Sequence, residues 1–457
     1  MSATTSLHGD TTPLTELAER LVAQARPGEQ IEVLAMHSRD TEVRVFNGEV
    51  ESFSAAESQG VGVRIVVNGR QGFAYAGTFD RDVLDETVAE ARDNATFGTY
   101  DEYVGLAEPD GVEPASLELF DAALLELPTD RKIELALELE RAALGADPRI
   151  IGIESAEYVD GVQRYAIVTN TGIRASGAET GCYLSVSTLA EQDGETQTGY
   201  GWSIGRRPDA LDVARAAGDA AERATRLLGA KKPPTDRLTV VLTPFVTAQL
   251  LGILGATMTG DAVLKGRSLF ADRLGEEIAP PWFTLVDDPT VIEAFTASEI
   301  DGEGLATRRN VLVGDGVLRA FLHNSYTARR AGTRSTGSAV RGGYASTPGV
   351  GAQALSLVPG TASQEELIAR IDHGLLVQDV SGLHSGVNPV SGDFSTGAEG
   401  LMIRNGALAE PVRELTIAST LQKMLRDAVA VGNDVEWLPM NAAGVTLVVD
   451  DVTMSGA

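Results

Sequence analysis

Two histidines and two aspartates near the end of this sequence carry groups that can bind a metal ion. His373 and His384 flank a glycine-rich segment, with Asp379 between them and Asp393 nearby. Imidazole nitrogens and carboxylate oxygens are zinc ligands, but no HExxH pattern orders two of the histidines on one helix face. Solvated loop histidines are therefore favoured over a metal site.

A serine in the pattern GxSxG is a second candidate for chemistry. The match is GWSIG at 201–205, which puts Ser203 where a hydrolase nucleophile would stand. Such a nucleophile needs a parallel strand that turns directly into a helix. Here the match follows a run typical of an antiparallel meander, and Arg206 and Arg207 separate it from the next helical pattern. The sequence favours a strand end rich in small residues.

The single cysteine, Cys182, excludes an intramolecular disulfide and a thiolate zinc cage. It lies in a strand-like run with no histidine near it in sequence. That context is typical of a small buried residue rather than a nucleophile.

The stretch 238–260 contains no charged residue in a chain whose formal net charge is −28. A membrane span needs about 20 apolar residues, but threonines, a glutamine and Pro244 interrupt this one. We expect a buried strand at 238–242 followed by a core helix, with Thr243 as its N-cap and Pro244 at its first position. The apolar face of that helix consists of Val246, Leu250, Leu254 and Met258.

An unusual charge pattern covers 316–364, which has no Asp or Glu although the chain is strongly acidic. Arginine forks bind carboxylates. The window therefore predicts either a docking face for an acidic partner or a peptide, or ion pairs with the chain's own surplus carboxylates. Its five arginines are Arg319, Arg329, Arg330, Arg334 and Arg341.

A glycine-rich loop at 386–400 packs a proline and small hydroxyls around Asp393. Loops of this composition hold the backbone in unusual dihedrals or bring it close to another chain. Asp393 could act as a general base, but no acid partner stands at a useful spacing. Capping its own loop is the favoured role.

Turn pairs and helical patterns define the fold class. Five Asn-Gly or Asp-Gly pairs separate runs of Val, Ile, Phe or Tyr and predict β-hairpins at 47–48, 68–69, 160–161, 315–316 and 405–406. Helical patterns cover 14–25, 80–95, 130–144, 208–228, 364–371 and 414–429. Because these helices do not alternate one by one with strands, the sequence predicts an α+β fold with largely antiparallel sheets and flanking helices.

The segment GAKKPPTD at 229–236 marks a domain boundary, since a helical pattern stops there before a linker rich in Lys and Pro. We predict an N-terminal α+β domain at 1–232 and a C-terminal domain rich in antiparallel sheet at 233–457. The strand-rich residues 150–205, with a further turn pair at 193–194, are assigned to the first domain as a meander.

Composition narrows the range of partners. The surplus of 65 acidic over 37 basic residues argues against binding to the phosphate backbone of nucleic acids. The N-terminal residues show no basic stretch followed by an apolar one, so nothing directs export. With a single cysteine as well, we expect a cytoplasmic chain that does not bind membranes.

Five sequence blocks, spread over the whole chain, occur in the order found in a known family. They are VRVFNGEVESF, GVGVRIVVNGRQGFAYAG, the stretch from DGEGLATRRN to TRSTGSA, GVNPVSGDFSTGAEG and LQKMLRDAVAVGND. Together they resemble the TldD/PmbA family of bacterial peptidases, in particular its PmbA branch, also called TldE. The resemblance implies the two domains above and a dimer that encloses a peptide-accepting cavity.

TldD-type members of that family carry HExxxH on the helix after the first strand of the second domain, which supplies two histidine zinc ligands and a glutamate base. The shared Gly260 and Asp261 at the end of that helix place the motif at Leu251, Gly252 and Ala256. None of these three can bind zinc or accept a proton. By this resemblance the metal positions are vacant.

The resemblance also implies a cysteine ligand near the C-terminus, and 435–457 contains none. We expect no catalytic residue and no cofactor in this chain. Zinc is expected in a TldD-like partner, within a heterodimeric metalloprotease that cleaves unfolded or extended peptides. Residues expected to contact substrate or partner are Arg329, Arg330, Arg334, Asn388, Asp393 and Ser395.

Two alternative functions stay open at this point. One is a homodimeric peptide-binding module without a protease partner. The other is a hydrolase with a site of its own, built from His373, His384 and Asp393 or from Ser203.

Overall fold

The structure, a computed structural model, describes residues 9–456. Residues 1–8 and residue 457 lie outside the described residues. Residues 1–8 belong to the N-terminal stretch from which a cytoplasmic chain is predicted. The strands of the first half are β1 Gln30–Phe46, β2 Glu49–Val67, β3 Arg70–Ala76, β4 Ile150–Thr169, β5 Arg174–Gln192 and β6 Glu195–Gly205. Its helices are α1 Thr12–Val22, α2 Arg81–Phe97, α3 Ala122–Glu126, α4 Thr129–Ala146 and α5 Val213–Thr225.

The six strands of the first half form one antiparallel sheet in the order β3-β2-β1-β4-β5-β6. Positive φ angles at Asn47 (54°) and Gly48 (75°) allow the two-residue turn between β1 and β2. The same geometry recurs at 68–69 and 193–194. The hairpins at 47–48 and 68–69 and the meander of β4 to β6 are confirmed.

The hairpin predicted at 160–161 is wrong, because β4 runs straight through both residues. Asp160 pairs with Thr41 and Cys182, and Gly161 pairs with Asp40 and Gly181, so both lie in mid-sheet. A glycine inside a strand can mark a place where another group approaches the backbone closely. The cavity described below lies over Gly161.

The helices among residues 9–456 that pack on this sheet cover one of its faces. Side chains alternate across a strand, and those on one face, such as Val43, Tyr158 and Leu184, form a core with α4 and α5. Ile31 and Val63 pack in the same way against α1 and α2. The opposite face carries the residues that meet the second half of the chain.

The second half contains short elements around another long sheet. Its strands are β7 Asp236–Leu242, β8 Leu285–Asp287, β9 Asn310–Gly314, β10 Val317–Leu318, β11 Ala339–Val340, β12 Gly349–Val350, β13 Leu355–Leu357, β14 His373–Ser381, β15 Asp393–Arg404, β16 Ala407–Thr420, β17 Ala428–Val431, β18 Glu436–Trp437, β19 Ala443–Gly444 and β20 Leu447–Ser455. Its helices are α6 Pro244–Thr257, α7 Gly260–Leu264, α8 Ser325–Ala331, α9 Gln364–Ile368, α10 Leu383–Gly386 and α11 Leu421–Arg426.

The long sheet of the second half has the order β16-β15-β14-β7-β20-β17. Only β14 and β7 pair in parallel, and the other neighbours are antiparallel. The turns at 315–316 and 405–406 join β9 to β10 and β15 to β16, as predicted. The predicted α+β class with largely antiparallel sheets is confirmed, while the domain boundary at residue 232 stays a prediction.

The helix predicted at 414–429 is wrong over most of its length. Residues up to Thr420 belong to β16, where Leu415 and Ile417 are buried at strand spacing. Helical spacing begins only at Leu421, and the Thr420 side chain caps α11 by accepting a hydrogen bond from the Lys423 amide (3.2 Å). The expectation merged a strand with the short helix that follows it.

The helix predicted at 208–228 is divided. A 3₁₀ turn at Pro208–Ala210 comes first, and α5 begins only at Val213. The Asp212 side chain accepts a hydrogen bond from the Arg215 amide (2.9 Å), which starts a new helix after the turn.

The uncharged stretch 238–260 forms the central strand β7 and the helix α6, as predicted. All four residues of the predicted apolar face are buried in the main core of the second half. Thr243 precedes the helix, but its hydroxyl donates to the Gln378 carbonyl oxygen (3.2 Å) and does not cap it. Within residues 9–456, no helix has the length and apolar character needed to cross a membrane.

Candidate functional site

The three motif positions on α6 differ in environment. Leu251 is fully buried in the core, Gly252 is partly buried and Ala256 is exposed. A hydrocarbon, a hydrogen atom and a methyl group offer no electron pair to zinc. The residues present therefore do not fit the zinc centre that the TldD-type motif implies.

The helix α6 nevertheless borders a cavity. A Cβ atom added at Gly252 would lie 3.7 Å from Asn441 Oδ1, and one added at Gly255 would lie 3.3 Å from the Ala352 side chain. Asn441 and Ala352 belong to the lining of a cavity of about 600 Å³. Of the vacant motif positions, Gly252 thus lies next to a residue that lines a cavity large enough for a ligand.

The cavity lies between the two halves of the chain. One wall is the helix-free face of the first sheet, contributed by β1, β4 and β5, and the other consists of loops at 295–302, 339–343 and 352–353. Apolar and aromatic side chains provide much of the surface: Leu34, Met36, Tyr165, Ile167, Tyr183 and Phe295. Ligand sites often form at such junctions between folded units.

Two carboxylates line this cavity with neither an ion pair nor an amide hydrogen bond to the side chain among the described residues. Glu179 is partly buried on β5, and Asp40 is exposed at the rim on β1. Burial raises the pKa of Glu179, and the nearby Arg206 guanidinium opposes that shift. A carboxyl group kept in a cavity without a partner is typical of binding sites.

A buried ionic cluster closes one side of the cavity and connects the halves. Glu32 on β1 accepts hydrogen bonds from Arg64 Nε (3.1 Å) and Nη2 (2.6 Å) and from Arg341. The two arginines hold the pKa of Glu32 at about 2 in spite of its burial. Arg341 also donates to the Gly302 carbonyl oxygen (2.5 Å).

Two further carboxylates flank this cluster. Glu303 Oε1 lies 3.8 Å from Arg64 Nη2, and Glu303 Oε2 accepts a hydrogen bond from the Ser325 amide (2.8 Å). Asp301 accepts three amide hydrogen bonds, yet burial and the neighbouring Glu303 raise its pKa to about 7. The loop 301–303 is thereby fixed against β1 and β2.

The structure divides the predicted arginine face. Arg341 forms the internal ion pair with Glu32, which is the second role considered for the window. Arg329 donates to the carbonyl oxygens of Tyr103 (2.7 Å), Gly105 (2.7 Å) and Leu106 (3.2 Å), so it fastens that segment to α8.

The other arginines of the window lie nearer to solvent. Arg330 is exposed, donates to the Tyr326 hydroxyl (3.0 Å) and lies over the Tyr103 ring. Arg334 is exposed with no hydrogen bond or ion pair among the described residues. Arg319 Nε donates to the Gly314 carbonyl oxygen (3.3 Å). Arg319, Arg330 and Arg334 are all exposed, and contact of Arg330 and Arg334 with a partner stays a prediction.

The glycine-rich loop caps itself. The Asn388 side chain accepts hydrogen bonds from the amides of Val390 (2.9 Å) and Ser391 (3.2 Å), and Asp393 accepts one from the Ser391 hydroxyl (2.6 Å). Asn388, Asp393 and Ser395 are exposed. No hydrogen bond or ion pair within the described part of the chain joins this loop to the arginines of α8.

The alternative hydrolase sites do not assemble. His373 begins β14, which is about 26 Å long, whereas His384 lies in α10, beyond the opposite end of that strand. His373 Nε2 instead lies 2.8 Å from Asp236 Oδ2. In the described residues no three His, Cys, Asp or Glu side chains are placed to hold a metal ion.

The serine and cysteine candidates are structural. Ser203 lies in the antiparallel strand β6, and its oxygen accepts a hydrogen bond from the Asp212 amide (2.8 Å). Cys182 is fully buried, and burial raises its thiol pKa to about 12. Neither group is placed as a nucleophile.

Comparison with known proteins identifies the family. Models of the three PmbA/TldA metallopeptidase domains match residues 31–95, 123–228 and 235–456, described as domain 1, the central domain and the C-terminal domain. The chain belongs to the PmbA/TldA metallopeptidase family. The resemblance seen in the sequence is therefore confirmed.

Individual relatives agree with this family assignment. The metalloprotease PmbA of Escherichia coli O157:H7 is 31% identical over 408 residues, which cover 89% of this chain and 88% of that protein. A Thermotoga maritima crystal structure, of a candidate modulator of DNA gyrase, is 26% identical with a TM-score of 0.89, covering 96% and 99% of the two chains. TldE of Thermococcus kodakarensis, at 22% identity, shares the fold with a TM-score of 0.88, covering 97% and 99%.

Sequence reasoning missed the cavity of this PmbA/TldA family chain. Its carboxylates, Asp40 and Glu179, come from different strands and meet only in the folded sheet. The one local signal is Gly161, a glycine inside a strand-like run, but a glycine after Asp160 also predicts a turn. Nothing in the sequence around Asn441 indicates that it lines the cavity, because that position depends on its packing near Gly252 of α6.

Proposed function

We propose that this chain is the non-catalytic subunit of a heterodimeric zinc metalloprotease and pairs in the cytoplasm with a TldD-like subunit that holds the zinc. The peptide bond of an unfolded or extended substrate would be cleaved at the partner's metal. This chain would complete the substrate cavity and support the partner's active site.

The observation that carries this proposal is the environment of α6. Leu251 contributes to the core, and neither Gly252, next to Asn441 of the cavity lining, nor the exposed Ala256 presents a ligand atom. Hydrolysis by a metal centre requires ligands that hold the ion and leave one position open for water. The names PmbA and TldE among its relatives favour the branch that the sequence blocks resemble.

A free sheet edge supports a role in binding extended chains. β3 pairs with β2 only from Val61 onward, so β2 has no second neighbour at 49–60 within the described residues. An extended segment can add to such an edge through main-chain hydrogen bonds. Phe53 and Val50 are exposed along it and could contact the added strand.

Copurification from the organism that encodes the chain tests the proposal. A tagged chain at its native expression level should recover one major partner at about equal amounts, and mass spectrometry should find HExxxH in that partner's sequence. The purified pair should cleave casein or an unfolded peptide, and a chelator should stop it.

Three results would contradict the proposal. Recovery of this chain alone, as a homodimer that binds peptides without cleaving them, would favour the peptide-binding module. A partner without a zinc motif would remove the proposed division of labour. Cleavage by this chain without any partner would assign catalysis to a site of its own.

A further inference from the structure

The cavity between the halves has a floor without side chains. Gly161 and Gly181 are direct partners in the register of β4 and β5. A Cβ atom at Gly161 would lie 2.9 Å from Asp40 Oδ1, and one at Gly181 would lie 3.3 Å from the Phe295 ring. Side chains at these two positions would displace the groups that now border the space.

An aromatic wall stands beside this floor. The rings of Tyr183 and Phe295 meet edge to face with centroids 6.5 Å apart. Tyr165 contributes a third ring from β4. Such rings pack well against an apolar stem and also attract a cation to their faces.

The positive charges of the cavity are already bound. Arg206 donates to the carbonyl oxygens of Thr180 (3.3 Å) and Ala294 (2.9 Å), and Arg341 is paired with Glu32. The terminal nitrogens of Arg206 and the guanidinium of Arg341 are therefore engaged within the protein, while the buried Arg206 Nε has no hydrogen-bond partner in the described part of the chain.

Two of the four carboxylates that line the cavity are not bound in the same way, whereas Asp160 pairs with Lys132 and Asp301 accepts amide hydrogen bonds. The Glu179 side chain makes no hydrogen bond or ion pair within residues 9–456, and Asp40 makes no ion pair there. Glu179 is partly buried, and the nearby Arg206 donates its hydrogen bonds to backbone carbonyl oxygens instead. A partly buried carboxylate without a hydrogen-bond donor lowers stability. A ligand that carries a cation would supply that donor.

We propose that this cavity binds a positively charged group on an apolar stem, an ammonium or guanidinium carried by an extended peptide. Glu179 accepts its hydrogen bonds, Asp40 adds negative charge at the rim, and the aromatic wall packs against the stem. The source is a lysine or arginine side chain or the amino terminus of the peptide. The identity of the ligand as a peptide rests on the proposed function.

Short peptides separate these sources when binding to the purified chain is measured by calorimetry. One alanine-based peptide has blocked ends and a central lysine, and a second replaces that lysine by norleucine. A third has no lysine but a free amino terminus, and a fourth has neither. We expect the lysine peptide, the free-amine peptide or both to bind at least about tenfold more tightly than the neutral peptides.

Glu179→Gln tests the assigned carboxylate with almost no change in volume. We expect the preferred cationic peptide to bind about tenfold more weakly, since one charge-assisted hydrogen bond is lost. The melting temperature should stay the same or rise, because a partly buried charge is removed. Glu191→Gln, on the same strand but exposed and outside the cavity, is the matched control and should bind like the wild type.

Equal binding of all four peptides, absence of binding, or unchanged affinity in Glu179→Gln would overturn this inference. These outcomes differ from failure of the proposed function. The measurement uses this chain alone, so a cationic preference can be found even if no TldD-like partner exists. A zinc-binding partner can also be recovered if the cavity binds charged and neutral peptides equally.

Discussion

Arg341 and Glu32, separated by 309 positions in the sequence, form an ion pair inside the contact between the two halves of the chain. Both side chains are almost completely buried, with exposed fractions of 5% and 1%. Arg64 shares the same carboxylate. The pair fixes the loop at 339–343 against β1 and thereby sets one wall of the cavity.

Replacing Arg341 by methionine should lower the free energy of unfolding by about 3 kcal/mol, because a buried carboxylate loses one of its two cationic partners. Denaturant unfolding measures this change. Arg334→Met, at an exposed arginine of the same window, should stay within about 0.5 kcal/mol of the wild type. Equal stability of the two variants would show that the ion pair does not hold the halves together.

Asp287 predicts a pH dependence of stability. Burial raises its pKa to about 6, so the folded chain keeps a proton that the unfolded chain releases above its ordinary value of 3.8. The contribution of this group to stability is therefore lost as the pH rises from about 4 to 6. The free energy of unfolding of Asp287→Asn, relative to that of the wild type, should therefore increase by about 3 kcal/mol between pH 4 and pH 7.

Urea unfolding at a series of pH values measures the effect at Asp287. Glu191→Gln removes an exposed carboxylate and serves as the reference. A difference between Asp287→Asn and the wild type that does not change with pH would mean that Asp287 is ionised throughout in the folded state.

Arg329→Ala should destabilise the fold by about 2 kcal/mol, because three backbone carbonyl oxygens lose their donor. Thermal unfolding with Arg334→Ala as the control measures it. This residue was expected on sequence grounds to contact a partner or substrate. A stable Arg329→Ala variant with weaker partner binding would restore that role.

Arg330→Glu combined with Arg334→Glu should weaken association with the partner or an acidic peptide while leaving the melting temperature unchanged, since both side chains are exposed. A pull-down with the copurified partner measures association. Arg81→Glu with Arg141→Glu makes the same change in net charge at exposed positions on α2 and α4. If both pairs behave alike, the effect belongs to net charge and not to the α8 surface.

Restoring the zinc motif on α6, as Gly252→Glu and Ala256→His with Leu251→His, should not create a peptidase. Leu251 is fully buried, so its replacement alone should cost about 3 kcal/mol, and no cysteine stands at 435–457 to complete the ligand set. Zinc analysis and a casein assay measure the result. One bound zinc with cleavage activity would show that the scaffold needs only these three side chains.

Local chemistry was sufficient to predict several elements. The turn at Asn47 and Gly48 follows from two residues that accept positive φ, and α6 follows from Pro244 and a regular apolar spacing. Both depend on neighbours in sequence. The same rules predict a turn at 160–161, which is wrong. A glycine that leaves room above a strand and a glycine that allows a turn look alike in the sequence.

The candidate site could be predicted only in part. The family resemblance was sufficient to predict that α6 carries no zinc-ligand side chain at Leu251, Gly252 and Ala256. The roles of Arg329 and Arg341 were not, since their partners at 103–106 and at Glu32 are more than 200 positions away. Long-range pairing decides whether an arginine binds a partner or the chain itself.

The most direct measurement of the central claim is the zinc content and peptidase activity of this chain purified without any partner. We expect far less than one zinc per chain after zinc incubation and desalting, and no cleavage of unfolded casein. Activity should appear only when a TldD-like subunit is added. One zinc per chain together with chelator-sensitive cleavage by the chain alone would contradict the account.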